Sequence, residues 1–139
     1  MKILSIPDVH QTLHWKKAVA EYFEQADKVV FLGDYNDSHG EPEVSGLLAD
    51  ENLREIIKLK LENPDKVILL IGNHDLHYLL EGKRGSEFQR EMYPIFHKTF
   101  KEYKHLFQIA VELDGWLFSH AGLSNTWLAL MYNKYPELS

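Results

Sequence analysis

Side chains that bind divalent metal ions follow four separate apolar runs of this chain. They are carboxylates, imidazoles and amides, and each set begins shortly after an apolar run ends. Oxygen and nitrogen ligands from separate strand ends can converge on one point, which is how a two-metal hydrolytic site is assembled. One set would be weak evidence, but four sets in the same relation to an apolar run are a strong indication. The sets are Asp8-Val9-His10, Gly33-Asp34-Tyr35-Asn36-Asp37, Gly72-Asn73-His74-Asp75 and Ser119-His120-Ala121-Gly122.

The first two sets supply most of the charge. Asp8 and His10 are two residues apart, so in an extended segment their side chains point to the same side and can hold one ion. Mixed oxygen and nitrogen ligation suits Mn, Fe or Zn better than Ca or Mg. Asp34 can bridge two ions through its two oxygens, and Gly33 before it permits close approach of the backbone. The alternative for Asp34 and Asp37 is a turn or helix-capping aspartate.

The last two sets add a neutral ligand and candidate proton donors. Asn73 offers an amide oxygen, and His74 can donate a proton to a leaving oxygen, with Asp37 as its candidate orienting partner. Taken alone, Asn-His-Asp indicates a turn, and a lone histidine such as His120 is more often a hydrogen-bonded core residue than a ligand. These separate alternatives do not explain why all four sets share one position relative to the predicted strands.

Hydrophobic patterning predicts the elements that position these residues. Short apolar or β-branched runs predict strands at Ile3–Ile6, Lys28–Leu32, Val67–Ile71, Phe107–Leu113 and Trp116–Ser119. Helical spacing predicts helices at Leu13–Gln25, Leu47–Glu62, Leu76–Leu80 (one turn), Glu87–Tyr103 (interrupted near Pro94) and Leu123–Asn133. Asp114-Gly115 predicts a hairpin between the last two strands. The alternation predicts a parallel α/β core with an added hairpin, in which ligands gather beyond the carboxyl ends of the strands.

Composition narrows the function classes. The chain has 139 residues, so we expect one domain covering 1–139. Its net charge is −6 and it has no Lys/Arg block, which makes nucleic acid an unfavoured partner. It has no cysteine, so disulfides, thiolate metal sites and a cysteine nucleophile are excluded. No signal peptide precedes the first strand and no apolar run could span a membrane, so we expect a cytoplasmic protein.

These residues resemble the calcineurin-like metallophosphoesterase superfamily. The family pattern of Asp-x-His, Gly-Asp-x-x-Asp and Gly-Asn-His-Asp/Glu stands here in the first three sets. The fourth set, continued by Leu123 and Ser124, is similar to a segment of the phosphoprotein phosphatase and diadenosine tetraphosphatase branch. The resemblance implies an α/β fold, a metallophosphoesterase-type β-sandwich flanked by helices, here expected to lack the terminal strands.

The resemblance also implies a role for each residue. Two divalent ions (Mn, Fe, Zn or Mg) would bind, and a metal-activated hydroxide would attack the phosphorus atom. His74 would protonate the leaving alcohol and be oriented by Asp37. The first ion would be held by Asp8, His10 and Asp34, and the second by Asp34, Asn73 and His120.

Two departures from the family pattern shape our expectations. No histidine follows His120, where the family usually has a further metal ligand, so we expect a weaker second site. We favour truncation of the chain as the reason; alternatively, His77 or His39 completes the site, or a neighbouring chain does. Truncation would also favour self-association. The branch's phosphate-binding arginine is replaced by Ser38.

The remaining residues receive simpler interpretations. Asn73, His74 and, more weakly, Arg84 are candidate substrate-binding residues, with an exposed loop charge as the alternative for Arg84. Three further histidines are expected at the surface or partly buried, and the three tryptophans in the core. These are His14, His97 and His105, and Trp15, Trp116 and Trp127.

Three functions remain after this sequence analysis. The first is a phosphoesterase acting on a phosphomonoester or nucleotide polyphosphate, whose substrate is a phosphorylated small molecule or a phosphoprotein. The second is a catalytically weak scaffold that keeps the fold and binds partners. The third is a metal-dependent nuclease or phosphodiesterase, against which the absence of a basic block argues mildly.

Overall fold

A four-stranded parallel sheet forms the centre of the computed structural model, which describes residues 1–80, 82, 84–122, 124–126, 129 and 133. The strands lie in chain order, β1 beside β2, β2 beside β3 and β3 beside β4. Apolar side chains occupy almost every position of β2 and β3, as expected for strands covered on both faces. The strands are β1 (Ile3–Ile6), β2 (Lys28–Phe31), β3 (Val67–Leu70) and β4 (Phe107–Gln108).

Helices connect the parallel strands. Along the chain, α1 (His14–Tyr22) connects β1 to β2, and α2 (Leu47–Glu62) connects β2 to β3. Two helices, α3 (Asn73–Leu79) and α4 (Tyr93–Tyr103), and a 3₁₀ turn (Lys104–Leu106) lead from β3 to β4. Parallel neighbours need such crossovers, because a tight turn cannot reverse the chain twice.

The prediction of one strand over Phe107–Leu113 is wrong. The chain changes partners at Ile109, which is 55% exposed, so that β4 pairs with β3 and the next strand leaves the sheet. That strand, β5 (Ala110–Leu113), pairs antiparallel with β6 (Trp116–Ser119) in a second sheet. The predicted turn Asp114-Gly115 joins them with φ of 54° and 79°, the left-handed conformation of a two-residue hairpin loop.

The parallel sheet lies between the helices and the hairpin. On one face, Val29, Phe31 and Leu69 belong to the core cluster shared with α2 and α4. On the other face, Val30, Ile68 and Leu70 pack against the hairpin. Alternate residues of β2 therefore serve opposite layers, as the period of a strand requires. The fold is a mixed α/β fold consistent with the predicted class.

Two helix predictions needed correction in their bounds. The helix predicted from Glu87 begins only at Tyr93, because Pro94 is tolerated in the first helical turn but not within a longer helix. The turn predicted at Leu76–Leu80 is part of a helix that already starts at Asn73. This earlier start places Asn73 and His74 on the first turn of α3.

The two described tryptophans differ in burial. Trp15 is 6% exposed and donates its indole N–H to Asn52 Oδ1 at 3.0 Å, whereas Trp116 is 72% exposed, so its prediction as a core residue is wrong. Trp116 lies on β6 next to the hairpin turn, opposite Leu113 at the end of the second sheet. Trp127 and most of the predicted helix Leu123–Asn133 lie outside the described residues. Within the described part of the chain, no helix is long and apolar enough to cross a membrane.

Candidate metal centre and its histidine–carboxylate pair

Three parallel strands end side by side, and the residues that follow them meet at one edge of the sheet. Asp8 and His10 follow β1, Asp34 follows β2, and Asn73 follows β3. The His10 N–H donates to the Asp34 carbonyl oxygen at 2.8 Å, so the segments that follow β1 and β2 stay in contact beyond the ends of the strands. His120 reaches the same edge from β6 of the second sheet.

The Asp34 carboxylate is the centre of this group. Its Oδ2 lies 3.3 Å from His120 Nε2 and 3.6 Å from His10 Nε2. Asp8 lies against the same two rings, with Oδ2 at 3.7 Å from His10 Nε2 and Oδ1 at 3.6 Å from His120 Nδ1. Asn73 Oδ1 lies 2.9 Å from His120 Nε2. The structure thus brings all five sequence-predicted ligands together, and we call these five residues the ligand cluster.

Backbone hydrogen bonds orient both imidazole rings of the ligand cluster. His120 Nδ1–H donates to the Leu32 carbonyl oxygen at 2.9 Å, and His10 Nδ1–H donates to the Asp37 carbonyl oxygen at 3.0 Å. Because a carbonyl oxygen can only accept, each ring carries a hydrogen on Nδ1 and turns Nε2 toward Asp34. In the neutral ring, the lone pair of Nε2 and the oxygens of Asp34 lie close enough to share one divalent cation, so the donor set fits a metal ion.

Hydrogen bonds within the ligand cluster shift the pKa values of His120 and Asp34. The hydrogen bond to Asp34 raises the pKa of His120 to about 9, against the effect of burial. Burial acts to raise the pKa of Asp34, but hydrogen bonds from the His120 ring and the His74 N–H outweigh it and leave that pKa below its ordinary value. The cluster therefore holds Asp34 as a carboxylate, the form that binds a cation.

Two glycines permit the close approach of the β2 and β3 ends. A Cβ on Gly72 would lie 2.0 Å from Asp34 Oδ1, and a Cβ on Gly33 would lie 2.5 Å from the Gly72 backbone nitrogen. Gly33 has φ of 108°, and Asp34 and His10 have φ of 52° and 43°. Left-handed backbone at non-glycine residues is uncommon and is concentrated at functional sites.

Asp75 fastens the two strand ends to each other. Its carboxylate accepts hydrogen bonds from the N–H groups of Asp34 at 2.8 Å, Tyr35 at 2.9 Å and Gly72 at 2.8 Å. Burial raises the pKa of Asp75 to about 7, while the three N–H donors act in the opposite direction. The acidic residue that closes the Gly-Asn-His-Asp set thus has a positioning role, which the sequence analysis did not assign.

His74 and Asp37 form a buried pair beside the ligand cluster. His74 Nδ1–H donates to Asp37 Oδ2 at 3.0 Å, and the His74 backbone N–H donates to Asp34 Oδ1 at 2.9 Å. His74 is 5% exposed and Asp37 is fully buried. The pair therefore lies at the cluster with the His74 Nε2 atom free of Asp37, which is the arrangement of an oriented proton donor.

Three more residues hold Asp37, a role that the sequence analysis assigned to none of them. His77 Nε2–H donates to Asp37 Oδ2 at 2.6 Å, Gln89 Nε2–H donates to Oδ1 at 2.9 Å, and the Tyr78 hydroxyl also donates to Oδ1. Burial, and secondarily the hydrogen bond to Asp37, raise the pKa of the Tyr78 hydroxyl. The spacing of His74, His77 and Tyr78 on one helix was the available signal, since residues three and four apart share a face.

His39 lies at the mouth of the cluster. Its ring centroid is 4.2 Å from that of His10 and 5.2 Å from that of His74. Its Nδ1 lies 2.7 Å from Glu87 Oε1. Neither His39 nor His77, the two histidines considered for completing a second metal site, belongs to the described group of Asp8, Asp34 and His120 whose ligand atoms lie within 4.8 Å of one another.

Arg84, the weaker substrate-binding candidate, lies elsewhere. Among the described residues, its guanidinium contacts the Phe88 ring, 5.5 Å from the ring centroid, and the side chain is exposed.

A mostly apolar cavity of about 370 Å³ borders the ligand cluster beside Asn73 and His120, and it is lined also by Leu76 and Ile109.

The chain is similar to known proteins of one family. The family model described as calcineurin-like phosphoesterase matches residues 1–137. A similar solved structure is a metallophosphoesterase from Sphaerobacter thermophilus, with 20% sequence identity over 84% of this chain and a TM-score of 0.44. The chain spans 45% of the length of that structure. No curated protein matched the chain.

Proposed function

Because the chain belongs to the calcineurin-like phosphoesterase family, we propose that it is a metal-dependent phosphoesterase that hydrolyses a phosphomonoester or a nucleotide polyphosphate. The single observation that carries this proposal is the ligand cluster beside the His74–Asp37 pair. One half of this arrangement suits a divalent cation and the other suits proton transfer. Its substrate would be a phosphorylated small molecule or a phosphoprotein.

Each residue of the ligand cluster has a proposed place. Asp8, His10 and Asp34 would hold a first divalent ion, and Asp34, Asn73 and His120 a second that binds less tightly. The donor set of carboxylates, imidazoles and an amide favours Mn, Fe or Zn, and Mg is also accepted. Such ions, when bound, supply Lewis-acid activation of water and of the phosphoryl group.

His74 is the proposed proton donor to the leaving oxygen. Asp37 accepts its Nδ1–H at 3.0 Å, so the proton to be transferred would sit on Nε2. The buried Asp37 carboxylate would fix the tautomer and the orientation of the His74 ring. The near-complete burial of His74 keeps bulk water from competing for its proton.

Hydrolysis of p-nitrophenyl phosphate with added Mn²⁺ tests the proposal. We expect activity in the parent chain, about 10²- to 10⁴-fold less in His74→Asn because proton transfer is lost, and none in Asp34→Asn because the shared ligand is lost. The matched controls are His105→Asn and Asp65→Asn, which change exposed residues of the same types and should keep parental activity.

The same assay separates the competing functions. Activity absent under every divalent metal, in a chain that binds metal, would favour the scaffold. Cleavage of bis-p-nitrophenyl phosphate and DNA in preference to the monoester would favour a phosphodiesterase or nuclease. Equal activity in His74→Asn and the parent would remove the proposed proton donor.

A further inference from the structure

A second group of metal-ligating side chains lies beside the ligand cluster. It consists of His39, His74 and Glu87, each of which offers one ligand atom within 4.8 Å of the others. Glu87 Oε1 lies 2.7 Å from His39 Nδ1, and Glu87 Oε2 lies 3.9 Å from His74 Nε2. A single carboxylate therefore faces two imidazole nitrogens.

The orientation of each ring leaves a nitrogen available. His74 Nδ1–H is committed to Asp37 Oδ2, so in the neutral ring the lone pair of Nε2 lies on the side of Glu87. The side chains of His39 and Glu87 are 54% and 35% exposed, so an ion can reach the group from solvent. Glu87 has φ of 60°, an uncommon conformation for this residue type.

The donor chemistry decides which ligand this group would bind. Two imidazole nitrogens and one carboxylate form the two-histidine, one-carboxylate set that suits Zn, Fe, Ni or Cu, whereas Mg and Ca prefer oxygen ligands. An anion such as phosphate is disfavoured, because Glu87 places negative charge between the two rings. The group shares none of its residues with the ligand cluster.

We propose that His39, His74 and Glu87 form an accessory site for a transition-metal dication, and that an ion bound there inhibits hydrolysis. The inhibition rests on the proposed function, because the ion would occupy His74 Nε2, the atom from which the leaving oxygen would receive its proton. The enzyme would then be active at moderate metal concentration and inhibited by excess Zn²⁺.

Equilibrium dialysis against Zn²⁺ tests the site independently of activity. We expect Glu87→Gln and His39→Asn each to bind one equivalent less than the parent, and Glu91→Gln, which changes an exposed glutamate of the same segment, to bind as many as the parent. Equal stoichiometry in all four proteins would overturn the proposal. Thermal unfolding of each variant verifies that it is folded. If one of the two variants is misfolded, the other still tests the site.

Inhibition of the Mn²⁺-supported hydrolysis of p-nitrophenyl phosphate by added Zn²⁺ tests the consequence. The Zn²⁺ concentration for half inhibition should rise at least about tenfold in Glu87→Gln, the effect of losing roughly 1.4 kcal/mol of binding, and stay unchanged in Glu91→Gln. A lower count of bound ions with unchanged inhibition would keep the site and overturn its inhibitory role. If the parent chain lacks phosphoesterase activity, the proposed function fails while the dialysis result still decides the site.

Discussion

The Asp37 carboxylate accepts four hydrogen bonds. Its Oδ2 receives the N–H groups of His74 and His77, and its Oδ1 receives Tyr78 and Gln89. The Gly85 N–H donates to His77 Nδ1 at 3.1 Å, so His77 must carry its hydrogen on Nε2 and act toward Asp37 as a donor. The orientation of His74 is thus fixed by a network in which each donor has an acceptor.

We predict that Asp37→Asn impairs both stability and activity. The amide would direct its own N–H₂ group at some of these four donors, leaving buried hydrogen-bonding groups unpaired at a cost of about 1–3 kcal/mol each. Urea unfolding should show a destabilisation of that order, and p-nitrophenyl phosphate hydrolysis should fall by about 10²-fold or more because His74 loses its orienting charge.

The control for this prediction is Asp65→Asn, which removes a carboxylate from an exposed turn and should stay within about 0.5 kcal/mol of the parent. Parental stability in Asp37→Asn would mean that the four hydrogen bonds do not hold the network as described.

At the scale of elements, the ends of β2 and β3 approach each other closely. Gly33 and Gly72 follow these strands, and neither leaves room for a side chain. Asp75, on the first turn of α3, accepts N–H groups from both strand ends. Asp34 is therefore held by the packing of two chain segments against each other, which limits how far its carboxylate can move.

We predict that Gly72→Ala weakens metal binding more than a simple loss of stability explains. The new Cβ would lie 2.0 Å from Asp34 Oδ1, so the carboxylate must shift. Overpacking of this kind costs about 1–3 kcal/mol of stability, and the displaced ligand should lower the affinity for Mn²⁺, measured by isothermal titration calorimetry on protein that is still folded.

Gly122→Ala is the matched control, because a Cβ there meets no heavy atom of the described residues within 4 Å. It should retain the stability and Mn²⁺ affinity of the parent. An affinity as high in Gly72→Ala as in this control would show that the close approach of the strand ends does not position Asp34.

On the scale of the whole molecule, the ligand cluster joins two separate sheets. Asp8, Asp34 and Asn73 follow strands of the parallel sheet, while His120 follows β6 of the hairpin. The apolar packing of Val30, Ile68 and Leu70 against the hairpin also links these layers. A cation held by Asp34, Asn73 and His120 would cross-link the layers.

We predict that Mn²⁺ raises the melting temperature of the chain and that a chelator reverses the rise. A ligand that binds only the folded state adds about 2.7 kcal/mol to the free energy of unfolding at 100 times its Kd. Differential scanning calorimetry across a range of Mn²⁺ concentrations measures the shift, which should be absent in Asp34→Asn and present in Asp65→Asn. A melting temperature independent of Mn²⁺ in the parent would contradict the metal centre.

Self-association, which the sequence analysis anticipated, stays a prediction. Large exposed apolar residues lie on β6 (Trp116 and Leu117) and directly before β5 (Ile109). The expected cytoplasmic location and the single domain also stay predictions.

Local sequence patterns were enough to predict the types of ligand at the site and most of the elements that carry them. Asp8, Asp34 and Asn73 each follow a short apolar run, and because adjacent parallel strands end at one edge, the local pattern suffices to bring their side chains together. The family resemblance assigned them roles. His74 and Asp37 were also paired in advance, and the structure brings them to 3.0 Å.

The residues that approach the site from distant parts of the chain could be found only from the three-dimensional fold. Gln89 bonds to Asp37 and to Gln11, contacts between residues 52 and 78 positions apart, and Glu87 reaches His39 across 48 positions. Local periodicity carries no information on such distant pairs, because they depend on how loops fold over a finished sheet. The exposure of Trp116 was decided in the same way, since an apolar residue is buried only where a neighbouring layer covers it.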